Sequence, residues 1–250
     1  MMKKTLLATS MLALGLSGCV ADDGGQLLGA GLTAFQGLTI SKPELQAEAS
    51  LAAQKMDAES NLAPANNAYS QRLAKVTQGL RQIDGTPLNY GVYLNKEINA
   101  FAMPDGTVRV YSGLMDVMKD DELMAVIGHE IGHVKYEHSL SQFKTAYLTA
   151  AARQAASAAG GSVGALASSD YAELAGQFMG AQFSQKDELQ ADVYGVEILC
   201  QQGMDPYAAM RAQQILMQNS GNGGGLFSSH PASDKRIQLV RDAAANASCR

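Results

Sequence analysis

The spacing of apolar positions divides the chain into a helical N-terminal part, a short β-region and a longer helical remainder. From Glu44 to Glu59 the residues are mostly Ala, Gln, Leu, Glu and Lys, which favour helix. The stretch LAPANN at 62–67 breaks that helix. Tyr69, Leu73, Val76, Leu80 and Ile83 then recur at three- and four-residue steps, predicting a second helix that Asp84-Gly85 ends as a turn. LNYGVYL (88–94), INAFAM (98–103) and TVRVYSG (107–113) read as strands, with Pro104-Asp105-Gly106 as a turn between the last two. They predict a small antiparallel sheet.

Asp120, Asp121 and Glu122 put negative charge where a helix N-terminus favours it, and Leu123, Val126, Ile127, Ile131 and Val134 continue as one apolar stripe. Residues 146–168 are rich in Ala, Gly and Ser and too polar for a membrane span, so they read as helix plus connection. A long helix is expected from about Asp170 to Gln202, stopped by Gly203. Pro206 opens another, to about Met217. NSGNGGG (219–225) reads as a loop, and His230-Pro231 precedes a final helix ending near Ala244. The fold class is α+β: one mainly helical domain over 43–250, with a small antiparallel β-sheet beside the helix of the apolar stripe.

The first residues do not fit that domain. Lys3 and Lys4 precede an apolar run from Leu6 to Leu16, the order of a secretory signal. Leu16-Ser17-Gly18-Cys19 resembles a bacterial lipobox, so residues 1–18 are expected to be removed and Cys19 lipidated. Residues 19–42, with several glycines, read as a tether. Val20 rather than Asp follows Cys19, which in similar lipoproteins goes with outer-membrane sorting. The expected location is the cell envelope, lipid-anchored at the outer membrane and facing the periplasm. That compartment is oxidising, so Cys200 and Cys249 are expected to pair. The net charge of -5 offers no footprint for nucleic acid.

VIGHEIGHVKYEH (126–138) lies inside the striped helix. Positions four apart share a helix face, so His129 and His133 can aim at one ion. Glu130 stands to one side, within reach of a water on that ion. This is the H-E-x-x-H arrangement, in which zinc lowers the pKa of water to about 7 and a carboxylate takes the proton. A catalytic zinc needs a third protein ligand. The metzincin pattern would place glycine and histidine at positions that are Tyr136 and Ser139, so that class is excluded. The third ligand is expected from another helix, and DELQAD (187–192) offers Glu188, with Asp192 one turn on to hydrogen-bond a ligand histidine. One Zn2+ per chain is expected. His138 reads as a structural neighbour.

Taken together, HEIGH, ELQAD and HPASDKRI resemble the HtpX/Oma/CAAX-prenyl-protease family of zinc metallopeptidases (gluzincins) over roughly Tyr69 to Val240. With the lipobox, the chain is similar to that family's periplasmic lipoprotein branch. The resemblance implies a zincin-like metalloprotease domain and a zinc metalloendopeptidase. It also implies His129, His133 and Glu188 on the metal, Glu130 as base and Asp192 behind a ligand. His230 matches a histidine that approaches the metal in related members, and Arg236 matches an arginine near the site. His230 is read either as a plug on the metal, carried by a glycine-rich loop, or as an oxyanion donor, a role also open to Arg236. Asn99, Ala100, Phe101 and Ala102 are expected to offer an open strand edge to an extended peptide, which suits unfolded or misfolded envelope proteins as substrates. The alternative function is a chaperone or scaffold with little turnover, partnered with the outer-membrane assembly machinery.

Overall fold

The structure is a computed structural model and describes residues 40–157, 168–219 and 225–249. The expected signal segment, the lipobox with Cys19, most of the tether and most of the glycine-rich loop lie outside the described residues.

Helix α1 (Lys42–Glu59) starts where its sequence chemistry places it. Ser41 and Glu44 cap each other's backbone N–H groups, and a proline opens the first turn. Lys42, the last residue expected in the tether, is thus already helical. Helix α2 (Ala68–Val76) is shorter than the stripe predicted. Leu80 and Ile83 are buried as the stripe requires, but the chain leaves the helix after Val76. Ile83 instead lies in β1 (Gln82–Ile83), which pairs with β2 (Thr86–Pro87) around the Asp84-Gly85 turn.

Three strands follow, β3 (Asn89–Tyr93), β4 (Ala100–Ala102) and β5 (Thr107–Tyr111). They form one sheet in the order β3-β5-β4. The sheet is mixed rather than purely antiparallel: β4 and β5 form the expected hairpin, while β3 runs parallel to β5. The most continuously buried strand, with Thr107, Val108, Arg109 and Val110 all inside, takes the middle, where both of its edges are paired. Arg109 is tolerated there because Asp57 of α1 accepts from its Nε and Nη2 at 2.8 and 2.7 Å. Gly91 on the neighbouring strand leaves room for that side chain, since a Cβ would sit 3.1 Å from Arg109 Cδ and Nε.

After α3 (Ser112–Val117) comes α4 (Asp120–Lys135), the helix of the histidine motif, followed by α5 (His138–Ser157) and α6 (Ser168–Gly180). The long helix expected from Asp170 to Gln202 is two helices. The chain breaks after Gly180 and restarts at α7 (Gln185–Gln201), where Ser184 and Asp187 form a reciprocal cap. Then come α8 (Ala208–Asn219), the short α9 (Leu226–Ser229) and α10 (Asp234–Asn246). Cys200 at the end of α7 and Cys249 beyond α10 are disulfide-bonded. Among the described residues no helix is long and apolar enough to cross a membrane.

The main core packs α4 against the sheet, α2, α7, α8 and α10. A second apolar cluster joins α1, α5 and α6 through Leu45, Phe143, Leu174 and Phe178, and meets the sheet at Tyr93 and Phe101. The motif helix runs through the main core, and its histidines are shut away from bulk water.

Candidate active site

Helices α4 and α7 approach closely because small residues meet along their contact. A Cβ on Gly128 would stand 3.1 Å from Gly195 Cα, and one on Gly132 would stand 3.0 Å from Ala191 Cα. Each of these glycines immediately precedes a motif histidine. The face that meets α7 therefore lies beside the face that carries His129 and His133, and Glu188, in the first turn of α7, is brought to both.

Four side chains converge: His129, His133, Glu188 and His230 each offer one donor atom, and these atoms all lie within 4.8 Å of one another. His129 Nε2 is 3.1 Å from His133 Nε2 and 3.3 Å from His230 Nδ1. The Glu188 carboxylate reaches all three rings, at 3.6 Å from His129 Nε2, 3.5 Å from His133 Nε2 and 2.7 Å from His230 Nδ1. His230 sits at the C-terminal end of α9 and is buried. Glu130 is also buried, with Oε1 3.7 Å from His230 Nε2.

Asp192 and Arg236 stand behind the cluster. Asp192 Oδ1 lies 2.9 Å from His129 Nδ1. Arg236 on α10 donates from Nε to Asp192 Oδ2 and from Nη2 to Asp192 Oδ1, both at 2.7 Å. Its Nη1 reaches Glu188 Oε2 at 2.7 Å and donates to the Pro231 carbonyl. Every arm of the guanidinium is thus engaged inside the protein. Gln213 on α8 adds a hydrogen bond to Asp192 at 3.1 Å. Burial alone would raise the Asp192 carboxyl, but Arg236 and His129 outweigh it and hold the group below the usual carboxylate range. Glu188 is lowered in the same way, its burial outweighed by His133 and His230. Burial pushes Glu130 upward, with His230 and His129 opposing. Burial also drives His133 well below the ordinary imidazole value, toward the neutral form that a metal ligand needs.

The donor set fits a metal ion. Imidazole nitrogens and a carboxylate oxygen are zinc's usual nitrogen and oxygen partners. Glu130 Oε1 is buried with no hydrogen-bond partner among the described residues, a costly state unless something else occupies the cluster.

The strand named as a substrate edge, Asn99 to Ala102, lies where expected at the free side of the sheet. All four residues are buried, however, and two outward carbonyls along this edge already have partners. Ala102 O accepts from Ser139 Oγ at 3.0 Å, and Ile98 O accepts from Leu226 N–H at 3.1 Å. Gly225 makes the second contact possible. It has φ +60°, and a Cβ there would stand 2.7 Å from Ile98 O.

Sequence reading missed Phe183, whose ring stacks on His133 with centroids 3.8 Å apart. An isolated aromatic between two helices gives no signal. It also missed Gln213, since nothing in α8 marks one glutamine among several.

Comparison with known proteins agrees with this geometry. Residues 64–244 match the model of peptidase family M48. The chain is 41% identical over 241 residues to the metalloprotease LoiP of Escherichia coli (strain K12), covering 96% of each protein. It is 37% identical over 244 residues to the metalloprotease YcaL of the same organism, again covering 96% of each. A more distant relative, the beta-barrel assembly-enhancing protease of Yersinia pestis, is 30% identical over 189 residues, 71% of this chain and 38% of that one. The chain is a metalloprotease whose His129, His133, Glu188 and His230 stand close together as a candidate metal site: it belongs to peptidase family M48.

Proposed function

We propose that this metalloprotease is a zinc-dependent endopeptidase of the bacterial cell envelope that degrades misfolded or unassembled envelope proteins. In this reading residues 1–18 are removed, Cys19 is lipidated, residues 19 to about 41 tether the protease, and the domain faces the periplasm from the outer membrane. The observation that carries the catalytic part is the convergence of His129, His133 and Glu188, with Glu130 beside them.

His129, His133 and Glu188 hold one zinc ion per chain, which when bound polarises a scissile carbonyl and acidifies water. Glu130 takes the proton from the attacking water and returns it to the leaving amine. Its raised carboxyl suits both halves of that transfer. Asp192 and Arg236 act from behind, fixing His129 and Glu188. Because Arg236 is fully engaged there, an oxyanion role for it has no support.

His230 is read as a plug. In its observed place it adds a fourth donor to the cluster, and with zinc bound it would compete with water for the metal. The segment that carries it is fastened to the substrate strand through Leu226 and Ile98. An extended peptide pairing with β4 competes for that strand edge, and so for the hold on His230. Backbone pairing makes little demand on sequence, which suits unfolded substrates.

The test is a comparison of cleaved envelope proteins between cells carrying the wild type and the Glu130→Gln variant. Fragments present only with the wild type support a degradative role. The same fragments in both strains contradict it.

A further inference from the structure

Each motif histidine turns one ring nitrogen into the cluster and the other away from it. The outward nitrogen of His129 meets Asp192. The outward nitrogen of His133 meets a second imidazole instead. His133 Nδ1 lies 3.2 Å from His138 Nδ1, and His138 Nε2 lies 3.4 Å from Asp187 Oδ1.

This juxtaposition is not a consequence of helix periodicity. Five residues along an unbroken helix correspond to a rotation of about 140°, which would carry His138 away from His133. The chain instead leaves α4 at Tyr136, and Glu137 adopts φ 61°, a left-handed conformation that non-glycine residues rarely take. That turn sets the first residue of α5 back against the motif ring. Asp187 is placed by the reciprocal cap at the start of α7, accepting from Ser184 N–H at 3.3 Å.

We propose that His138 and Asp187 are positioning residues for His133, forming a relay from ligand to imidazole to carboxylate that sets the ligand's tautomer and ring plane. The inference rests on the assignment of His133 as a metal ligand. For Nε2 of His133 to present its lone pair inward, its proton must lie on Nδ1. That N–H donates to His138 Nδ1, which places the His138 proton on Nε2, the nitrogen that faces the Asp187 carboxylate at 3.4 Å. Every ring nitrogen then has one role, and no imidazole is left with two donors facing each other. Phe183 restrains the same ring from its face, with the two ring planes inclined by 28°. The relay restrains it along its edge. Three helices, α4, α5 and α7, thereby converge on one ligand.

The experiment is a zinc titration of the metal-free protein against a chromophoric chelator, with cobalt substitution to read the ligand field. His138→Phe keeps ring bulk and removes the acceptor. It is expected to lower zinc affinity by about 10–100-fold and to shift the cobalt absorption bands. His138→Asn places an amide oxygen near the Nδ1 position and is expected to restore most of the loss. Asp187→Ala is expected to weaken binding clearly more than Ser184→Ala, which removes the hydroxyl half of the cap but keeps the carboxylate. Should His138→Phe fail to fold, the Asp187 and Ser184 pair carries the test alone. Wild-type affinity in a folded His138→Phe, or equal losses in Asp187→Ala and Ser184→Ala, overturns the relay. A His133→Ala protein that binds zinc as tightly as wild type overturns instead the ligand assignment on which the relay rests.

Discussion

Asp192 faces His129 and Arg236 at once: its Oδ1 lies 2.9 Å from His129 Nδ1 and 2.7 Å from Arg236 Nη2. A carboxylate so placed favours the His129 tautomer with its proton on Nδ1 and its lone pair directed inward. Asp192→Ala is therefore expected to weaken zinc binding by about 10–100-fold. Arg236→Lys should also weaken it, because one ammonium cannot reproduce a fork that spans Asp192 and Glu188. Chelator competition on the purified proteins measures both. Unchanged affinity in Asp192→Ala would remove Asp192 from the site.

Gly132→Val tests how the ligands are brought together. A Cβ at this position would meet Ala191 Cα at 3.0 Å, so a branched side chain must push α7 away from α4 and carry Glu188 with it. The expected cost is about 1–3 kcal/mol of stability, accompanied by weaker zinc binding. Urea unfolding and metal titration on one preparation report both. A variant that loses neither contradicts the role given to this helix contact.

His230→Ala separates the plug from the oxyanion donor. If the imidazole blocks the metal, its removal raises proteolysis of an unfolded substrate while zinc is retained. If it stabilises the oxyanion, the same change lowers the rate by about 10²–10³. The expected result is the rise, because His230 stands within the donor cluster, 2.7 Å from Glu188.

The Asp57–Arg109 pair gives stability a dependence on pH. Partial burial would push the Asp57 carboxyl upward, but the Arg109 guanidinium and the Tyr93 hydroxyl outweigh it and hold the group below its ordinary 3.8. A depressed folded value stabilises the fold above the unfolded pKa, and the gain is lost as pH falls through the folded value. Asp57→Asn should cost about 1.5–3 kcal/mol near neutral pH, and its gap from wild type should close below about pH 4. Urea unfolding across that range checks the sign. A gap that widens toward acid contradicts it.

Much of the site was legible because its residues lie at helical spacings. His129 and His133 lie one turn apart, as do Glu188 and Asp192, and a four-residue step fixes a common face without knowledge of the fold. The meeting of α4 and α7 was less legible, since it depends on Gly128 and Gly132 opposing Ala191 and Gly195, and a small residue does not announce its partner. The parallel pairing of β3 with β5 was hidden because alternation marks a strand but not its neighbours. The break between α6 and α7 was overlooked because Ser184 and Asp187, the cap that restarts the helix, lie inside a stretch whose composition suits continuous helix. The burial of Asn99–Ala102 arises from packing against helices remote in sequence, Phe101 among Leu45, Phe143 and Leu174.

The most direct test of the central claim is proteolysis by Glu130→Gln with its zinc content measured on the same sample. The amide keeps the shape of the side chain but cannot take a proton from water. The expected result is a folded protein with one zinc per chain and no measurable cleavage of an unfolded substrate. Cleavage at the wild-type rate by a zinc-loaded variant would contradict the mechanism.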